Sequence, residues 1–249
     1  MLILLPPSEG KNRPRRGRSL DLGTLSFPEL TPLREALVRT VARVSDEPHA
    51  ARTLEVNPNL LDDIAGNVHL ASAPTASASS IYTGVLYQAL DLDSLDPASK
   101  RRANRCIVVV SALFGALRLG DRVPPYRVNI CSTLPDVGYL SKEWRRALPE
   151  ALDSAVKPRE LVVDCRSSTY AAVWRPQGER AERWVHVTVP GASHMAKHTR
   201  GLVTRELVQA EAPRTPHGLA ERLSERFEVE LSPPPRAGRP WQLATRPRP

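Results

Sequence analysis

The sequence predicts an α/β or α+β fold: a single domain with a central mixed sheet and helices around it. Residues 1–5 and 107–110 are continuous apolar runs, which are typical of strands buried on both faces of a sheet. Residues 161–163 form a third run of this kind. Segments with helical periodicity lie between these runs, and such interleaving favours one layered domain with both helices and strands.

Several helices are predicted between and after the first two strands. Apolar residues between positions 33 and 44 recur at helical spacing, and the same pattern returns at 143–156. Asn57 and Asp96 each precede a proline, and this pair is common at the N-cap and first turn of a helix. A further helix is expected to begin near Thr83.

The C-terminal third continues the mixture of helices and strands. Residues 184–189 alternate between apolar and polar side chains, which predicts a strand with one wetter face. Two amphipathic helices are predicted at 197–210 and 217–226, and 227–231 is a candidate closing strand.

The last eighteen residues are rich in proline and arginine. This composition predicts a mostly disordered basic tail over 232–249, so the folded domain is expected to span 1–231.

Composition favours anionic partners. The net charge is +8 and the sequence pI is about 9.9, which makes nucleic acid the first candidate partner. Only five of the 35 basic residues are lysines, so part of the arginine excess can reflect a GC-rich coding bias. The three cysteines are widely spaced, and no apolar stretch has the length of a membrane span or signal peptide. We expect a cytoplasmic monomer that does not contact membranes.

The segment 107–127 is the strongest candidate site. Its buried strand leads to Ser111, and Arg118, Tyr126 and Arg127 follow within sixteen residues. Polar groups at the carboxyl end of a central strand are where α/β folds place their sites. The Tyr126-Arg127 pair follows two prolines and suits stacking on a base with a guanidinium on a phosphate. The alternatives are a strand followed by a solvated basic loop, and a tyrosine that simply completes the core.

Lys11 is the second candidate. It follows the strand at 1–5, and Arg13, Arg15 and Arg16 lie close behind it. Partial burial and neighbouring positive charge both lower the pKa of an ammonium group, as a nucleophilic or Schiff-base lysine requires. A phosphate contact and a solvated turn lysine are the alternatives. The segment is not a P-loop, because Asn12 and Pro14 follow the lysine.

Two further pairs of charged residues are candidates for binding. Lys197 and Arg200 lie one turn apart near the start of a predicted helix, where an anion offsets their unfavourable position. Asp164 and Arg166 follow the strand at 161–163 and either orient one of these cations or form a structural ion pair.

No metal or cofactor is expected. His194 and His198 have the i, i+4 spacing of metal ligands, but the sequence offers neither the glutamate of HExxH nor a nearby third ligand.

Four segments together resemble one known family. They are PPSEGK after the first strand, IYTG at 81–84, SALFGALRLGDRVPPYR from Ser111, and AKHTRG at 196–201. In this order and spacing they resemble the YaaA family of peroxide-stress-response proteins over residues 1–231. Three positions or segments depart from the usual family pattern: Ala112 replaces Gly, Leu119 replaces Pro, and PPSEGK differs from the SPAK form.

The resemblance implies a compact α/β fold with a basic cleft, a helix-hairpin-helix element and duplex DNA binding. It also implies protection from oxidative damage and lower intracellular free iron. It adds Ser8, Glu9, Thr83 and Gly84 to the expected binding residues. The helix pair at 197–210 and 217–226 is one candidate for the hairpin element.

Two hypotheses of function follow. The first is a stress-linked protein that binds duplex DNA, with weak sequence preference, through an arginine-lined cleft. The second is an enzyme that acts on a small anionic or nucleobase-containing substrate, with Lys11, Ser111 and Tyr126 as catalytic residues. The first predicts that Lys11, Arg127 and Lys197 spread along an open groove, and the second predicts that they converge in one pocket.

Overall fold

A seven-stranded mixed sheet forms the centre of the fold. The computed structural model describes residues 1–191 and 193–248, apart from the side chains of Ser193 and His194. The sheet order is β10-β11-β9-β8-β1-β3-β4, and β2 with β5 and β6 with β7 form two small ribbons. The strands are β1 Leu2–Leu5, β2 Ala76–Ser77, β3 Ile107–Ser111, β4 Gly115–Arg118, β5 Arg122–Val123, β6 Thr133–Leu134, β7 Gly138–Tyr139, β8 Val162–Asp164, β9 Trp184–Thr188, β10 Phe227–Ser232 and β11 Trp241–Pro247.

Helices cover the sheet and supply much of the core. Short 3₁₀ turns lie at Leu22–Thr24, Pro28–Leu30, Pro58–Leu60, Gly66–His69 and Leu92–Ser94. The α-helices of the described residues are α1 Thr31–Ser45, α2 Ala50–Thr53, α3 Leu61–Ala65, α4 Ala78–Ile81, α5 Val85–Leu90, α6 Pro97–Cys106, α7 Leu140–Ala155, α8 Ser168–Ala171, α9 Glu179–Glu182, α10 Ser193–Gln209 and α11 Pro216–Ser224.

The predicted fold class and its buried strands are confirmed. Strand β1 pairs in parallel with β3 on one side and with β8 on the other, and all of its residues are buried. Strand β8 continues the parallel pairing to β9. Burial on both faces explains why the sequences of β1 and β3 are continuous apolar runs rather than alternating ones.

The strand order of the sheet changes direction between β1 and β8. From β1 the chain crosses to β3 on one side, whereas from β8 it crosses to β9 on the opposite side. The connections therefore diverge and leave a crevice beyond the carboxyl ends of these two neighbouring strands. In open α/β sheets such a crevice is the usual ligand site.

Helix α6 shows how the local signals work. The Asp96 carboxylate accepts hydrogen bonds from the backbone N–H groups of Ala98 and Ser99, and Pro97 occupies the first turn. Helix α1 likewise follows its apolar repeat, with Leu37, Val41 and Val44 buried. Both helix predictions are confirmed.

The segment after Ser111 is not the solvated loop that was one of the expectations. Gly115 adopts a left-handed φ of 66°, and the chain returns as β4, antiparallel to β3. The buried Arg34 guanidinium fixes this reversal, since it donates to the backbone oxygens of Phe114 and Ala116. A side chain at Gly115 would place its Cβ 2.4 Å from the Trp144 ring, so glycine is required there.

The prediction of a disordered tail is wrong for residues 241–247. Strand β11 lies inside the sheet, parallel to β9 and antiparallel to β10. Leu243 and Thr245 are buried. The composition misled the prediction because Pro240 and Pro247 lie at the ends of the paired segment, where a missing N–H does little harm to the ladder.

The described residues contain no helix with the length and apolar character needed to cross a membrane.

Helices α10 and α11 correspond to the pair considered for the hairpin element, and that element remains a prediction. Thr215 caps α11 by accepting a hydrogen bond from the Gly218 N–H group.

The position of β11 predicts that the C-terminal segment stabilises the fold. Leu243→Ala should lower the free energy of unfolding by about 2–5 kcal/mol, because it leaves a cavity in the sheet interior. The control Arg246→Ala changes an exposed side chain on the same strand and should cost less than about 0.5 kcal/mol. Denaturant unfolding of both variants measures this, and equal stabilities would contradict the docked strand.

Candidate active site

The loop after β1 is held by the IYTG segment. Lys11 forms an isolated antiparallel bridge with Tyr82, and the Asn12 N–H group donates to the Ile81 oxygen. The Thr83 N–H group donates to both the Ser8 hydroxyl and the Gly10 oxygen. Two motifs that are seventy residues apart in sequence are therefore one structural unit.

Gly84 allows the close approach of these two segments. A Cβ atom at this position would lie 2.9 Å from the Cβ of Ser8, which is closer than two carbon atoms pack. Ser8 is 9% exposed and its hydroxyl donates to the Gly10 oxygen. The contact fixes the path of the chain from Pro7 to Lys11.

The Lys11 ammonium group lies in a partly buried, aromatic environment. Its Nζ atom donates to the Ser8 oxygen at 2.8 Å and lies 4.3 Å from the centre of the Tyr126 ring. Burial, followed by the positive charge of Arg127, lowers the pKa of Lys11 to about 7. The carboxylates of Asp63 and Glu9 act in the opposite direction but do not compensate. A substantial fraction of this amine is therefore neutral near pH 7.

A chain of hydroxyl groups holds the Tyr126 ring. The Ser111 Oγ atom accepts from the backbone N–H groups of Leu113 and Phe114 and lies 2.7 Å from the Tyr126 hydroxyl. The Tyr82 hydroxyl lies 3.1 Å from the Tyr126 hydroxyl oxygen. Burial raises the pKa of Tyr126 to about 12, so its hydroxyl stays protonated at neutral pH.

Arg127 is fixed close enough to Lys11 for its charge to act on the ammonium group. Its guanidinium pairs with the Asp63 carboxylate, which also pairs with Arg13. Burial alone would raise the pKa of Asp63, but hydrogen bonds from both arginines hold it below its ordinary value. The Asn67 side-chain oxygen accepts a hydrogen bond from the backbone N–H group of Arg127 at 2.9 Å.

Lys11, Tyr126 and Arg127 line a cavity of about 530 Å³ beyond the carboxyl ends of β1 and β8. Helix α10 contributes Lys197 and Arg200 to its wall, while Arg200 also donates to the Val187 oxygen at the end of β9. Lys11, Arg127 and Lys197 therefore line one cavity.

The predicted site residues separate into three groups. Eight of them line the cavity: Ser8, Glu9, Lys11, Gly84, Tyr126, Arg127, Lys197 and Arg200.

Ser111 and Thr83 lie behind this cavity wall. Ser111 is fully buried and contacts Tyr126, whereas Thr83 acts on the loop through its backbone N–H group. Neither belongs to the cavity lining.

Arg118, Asp164 and Arg166 occupy other parts of the fold. Arg118 is the last residue of β4, which runs antiparallel to β3, so it lies near the start of β3. The Arg118 guanidinium donates to the backbone oxygen of Arg105. Asp164 and Arg166 form a completely buried ion pair. This matches the structural alternative, because Arg166 also donates to the oxygens of Tyr170 and Trp174 and thereby fixes α8.

Several residues of the cavity lining are not among the predicted site residues. Pro6, Tyr87, Ser167 and Tyr170 also face the cavity. Ser167 follows the buried strand β8, so the position of a polar residue at a strand end was an available signal. Tyr87 and Tyr170 carry no such signal, since aromatic side chains at helical spacing are usually part of the core.

Metal ligands do not cluster in the part of the chain that the structure describes: no three His, Cys, Asp or Glu side chains lie together in the manner of a metal site. The side chain of His194 lies outside the described residues, so the His194–His198 pair remains untested.

The fold and cavity define a class of protein: a mixed α/β domain with a cation-lined cavity at the switch point of its sheet. Comparison with known proteins gives the family. The family model described as peroxide stress protein YaaA matches residues 1–231, and the chain belongs to this family.

Named relatives carry the family designation UPF0246. A UPF0246 protein of Streptomyces coelicolor is 44% identical over 98% of this chain and 97% of its own length. Similar proteins of Corynebacterium efficiens and Corynebacterium glutamicum are 37% and 32% identical, and each alignment covers at least 85% of both chains. The Streptomyces alignment extends over nearly the whole chain, whereas the family model ends at residue 231, before strand β11.

Proposed function

We propose that this chain serves in the peroxide stress response as an enzyme that acts on a small anionic substrate at Lys11. The observation that carries the proposal is the common cavity of Lys11, Arg127 and Lys197, in which Lys11 has a pKa of about 7. Titratable groups with strongly lowered pKa values in a concave site are typical of catalytic residues.

The charge of the cavity favours an anion. Four cationic side chains line it, and Glu9 and Glu55 are the acidic ones. Arg127 is already paired with Asp63, so Lys197 and Arg200 are the better candidates for direct contact with substrate oxygens.

Size and aromatic lining favour a substrate with a flat ring. A volume of about 530 Å³ lies within the usual range for small-ligand sites. Tyr87, Tyr126 and Tyr170 line the same space, and tyrosine rings stack on nucleobases. The cavity accommodates one nucleotide-sized molecule, whereas a duplex is too wide to enter.

The chemistry requires the lone pair of the Lys11 amine. A neutral amine either accepts a proton from the substrate or attacks an electrophilic carbon. Tyr126 supports this role through its ring, since its hydroxyl is occupied by Ser111 and Tyr82. We therefore assign Ser111 and Tyr126 to positioning of the Lys11 side chain rather than to direct catalysis.

Lys11→Arg tests this proposal against a simple phosphate contact. A guanidinium keeps the charge but does not lose a proton in this range of pH, so Lys11→Arg should fail as completely as Lys11→Ala. The measurement is peroxide survival of a deletion strain complemented with each variant.

The matched control is Lys197→Arg, which keeps a cation at the cavity wall and should retain most of the function. Rescue by Lys11→Arg to the level of the unchanged protein would contradict a role for the neutral amine. Circular dichroism of each purified variant separates loss of function from loss of fold.

Duplex DNA binding through a basic cleft is the second candidate function, and the net charge of +8 favours it. Such binding would depend on contacts with phosphates, which carry little sequence information. It is compatible with the first proposal, because a duplex on the surface leaves the cavity free.

The electrostatic account predicts that affinity for duplex DNA falls by at least about tenfold between 50 and 200 mM salt. Fluorescence anisotropy with two unrelated duplexes measures both the salt dependence and the sequence preference. An affinity that is insensitive to salt would remove this candidate.

A further inference from the structure

The C-terminal hairpin forms the wall of a second cavity. The segment between β10 and β11 carries Arg236 and Arg239, which face Trp184 and His186 of β9 across a space of about 650 Å³. Arg175 lines the same space. None of these residues lines the Lys11 cavity.

The charge of this second cavity is entirely positive. Arg175, Arg236 and Arg239 line it, and its lining contains no aspartate or glutamate. Within residues 1–191 and 193–248, no ion pair joins any of the three guanidiniums to a carboxylate. Arg175 and Arg236 are exposed and Arg239 is half-buried. Like charges around one concave space repel each other, so a bound anion would stabilise this arrangement.

Two prolines and one hydrogen bond restrict the backbone of the hairpin turn. Pro235 and Pro240 flank the two arginines, and the Arg239 N–H group donates to the Arg236 oxygen at 3.2 Å. The Trp184 indole N–H group donates to the buried Asp164 carboxylate at 3.2 Å, which fixes the floor of the cavity. A fixed backbone lowers the entropy that ligand binding must overcome.

We propose that this second cavity is a phosphate-binding site. Guanidinium groups match the oxygens of a phosphate in paired hydrogen bonds, and three of them around one concave space suit a group with several charged oxygens. Arg236 and Arg239 lie beyond residue 231, outside the part of the chain that the family model matches, whereas Arg175 lies within it.

One turn of helix separates the two cavities. Ser168 and Ala171 of α8 line the phosphate site, whereas Ser167 and Tyr170 line the Lys11 cavity. A helix is about 10 Å across, so the two sites are close neighbours. The phosphate site nevertheless shares no lining residue with the Lys11 cavity and does not depend on the chemistry of Lys11.

The test follows the Trp184 indole N–H signal by NMR during titration with inorganic pyrophosphate. The signal is assigned with Trp184→Phe and reports on this cavity rather than on the Lys11 cavity. Arg236→Gln/Arg239→Gln should weaken binding by at least about tenfold, since two charge-assisted contacts are lost. The control Arg101→Gln/Arg246→Gln removes the same charge from exposed positions and should bind within about twofold of the unchanged protein.

A second titration with a single-stranded oligonucleotide distinguishes a free phosphate compound from a nucleic acid backbone. Competition between the oligonucleotide and pyrophosphate for the same signal would indicate the backbone, and binding of pyrophosphate alone would indicate a free phosphate compound. A signal that does not respond to either ligand, or equal affinities of the two double variants, would overturn the proposal. Lys11→Ala should not change the pyrophosphate titration of the Trp184 signal. The test of the phosphate site is therefore independent of whether Lys11 is catalytic.

Discussion

The pairing of the β1 loop with the IYTG segment is the interaction on which the site depends. It consists of a few backbone hydrogen bonds around Lys11 and Tyr82 and one contact between Ser8 and Gly84. Because the loop is tied to a second segment, the Lys11 amine is held against the Tyr126 ring and partly shielded from bulk water. The position of the Lys11 amine and its lowered pKa therefore have the same cause, because an amine that was free to move into solvent would keep its ordinary pKa.

The sheet supplies the space into which this amine projects. Strands β1 and β8 are neighbours whose connections leave in opposite directions, so the loops after them separate and form a crevice. Helix α10 closes one side, and Gly201 allows it to pack closely on α5, since a Cβ there would lie 2.2 Å from the Leu86 oxygen. The AKHTRG motif thus combines two cations that face the cavity with the glycine that brings their helix into place.

The sequence was most informative where one physical signal dominated. The buried strands, the Asp96 cap and the α1 repeat were all predicted, because burial on both faces, capping and periodicity each leave a local pattern. Lys11 and Lys197 were predicted as site residues, but their convergence depends on long-range packing that no local pattern encodes. Arg118 lies away from the site because the tight turn at Gly115 sends the chain back along β3, which the spacing of the segment does not reveal. Strand β11 lies in a segment whose composition is dominated by proline and arginine, so its local pattern is weak.

The central claim is that Lys11 carries a neutral amine near physiological pH, and its titration tests that claim most directly. In ¹⁵N NMR of the lysine side chains, with Lys11→Arg for assignment, the midpoint for Lys11 should lie near pH 7. Asp63→Asn removes a negative charge and should lower this midpoint, whereas Arg127→Gln removes a positive charge and should raise it. A midpoint near 10.5 in the unchanged protein, the ordinary value for a lysine, would contradict the account.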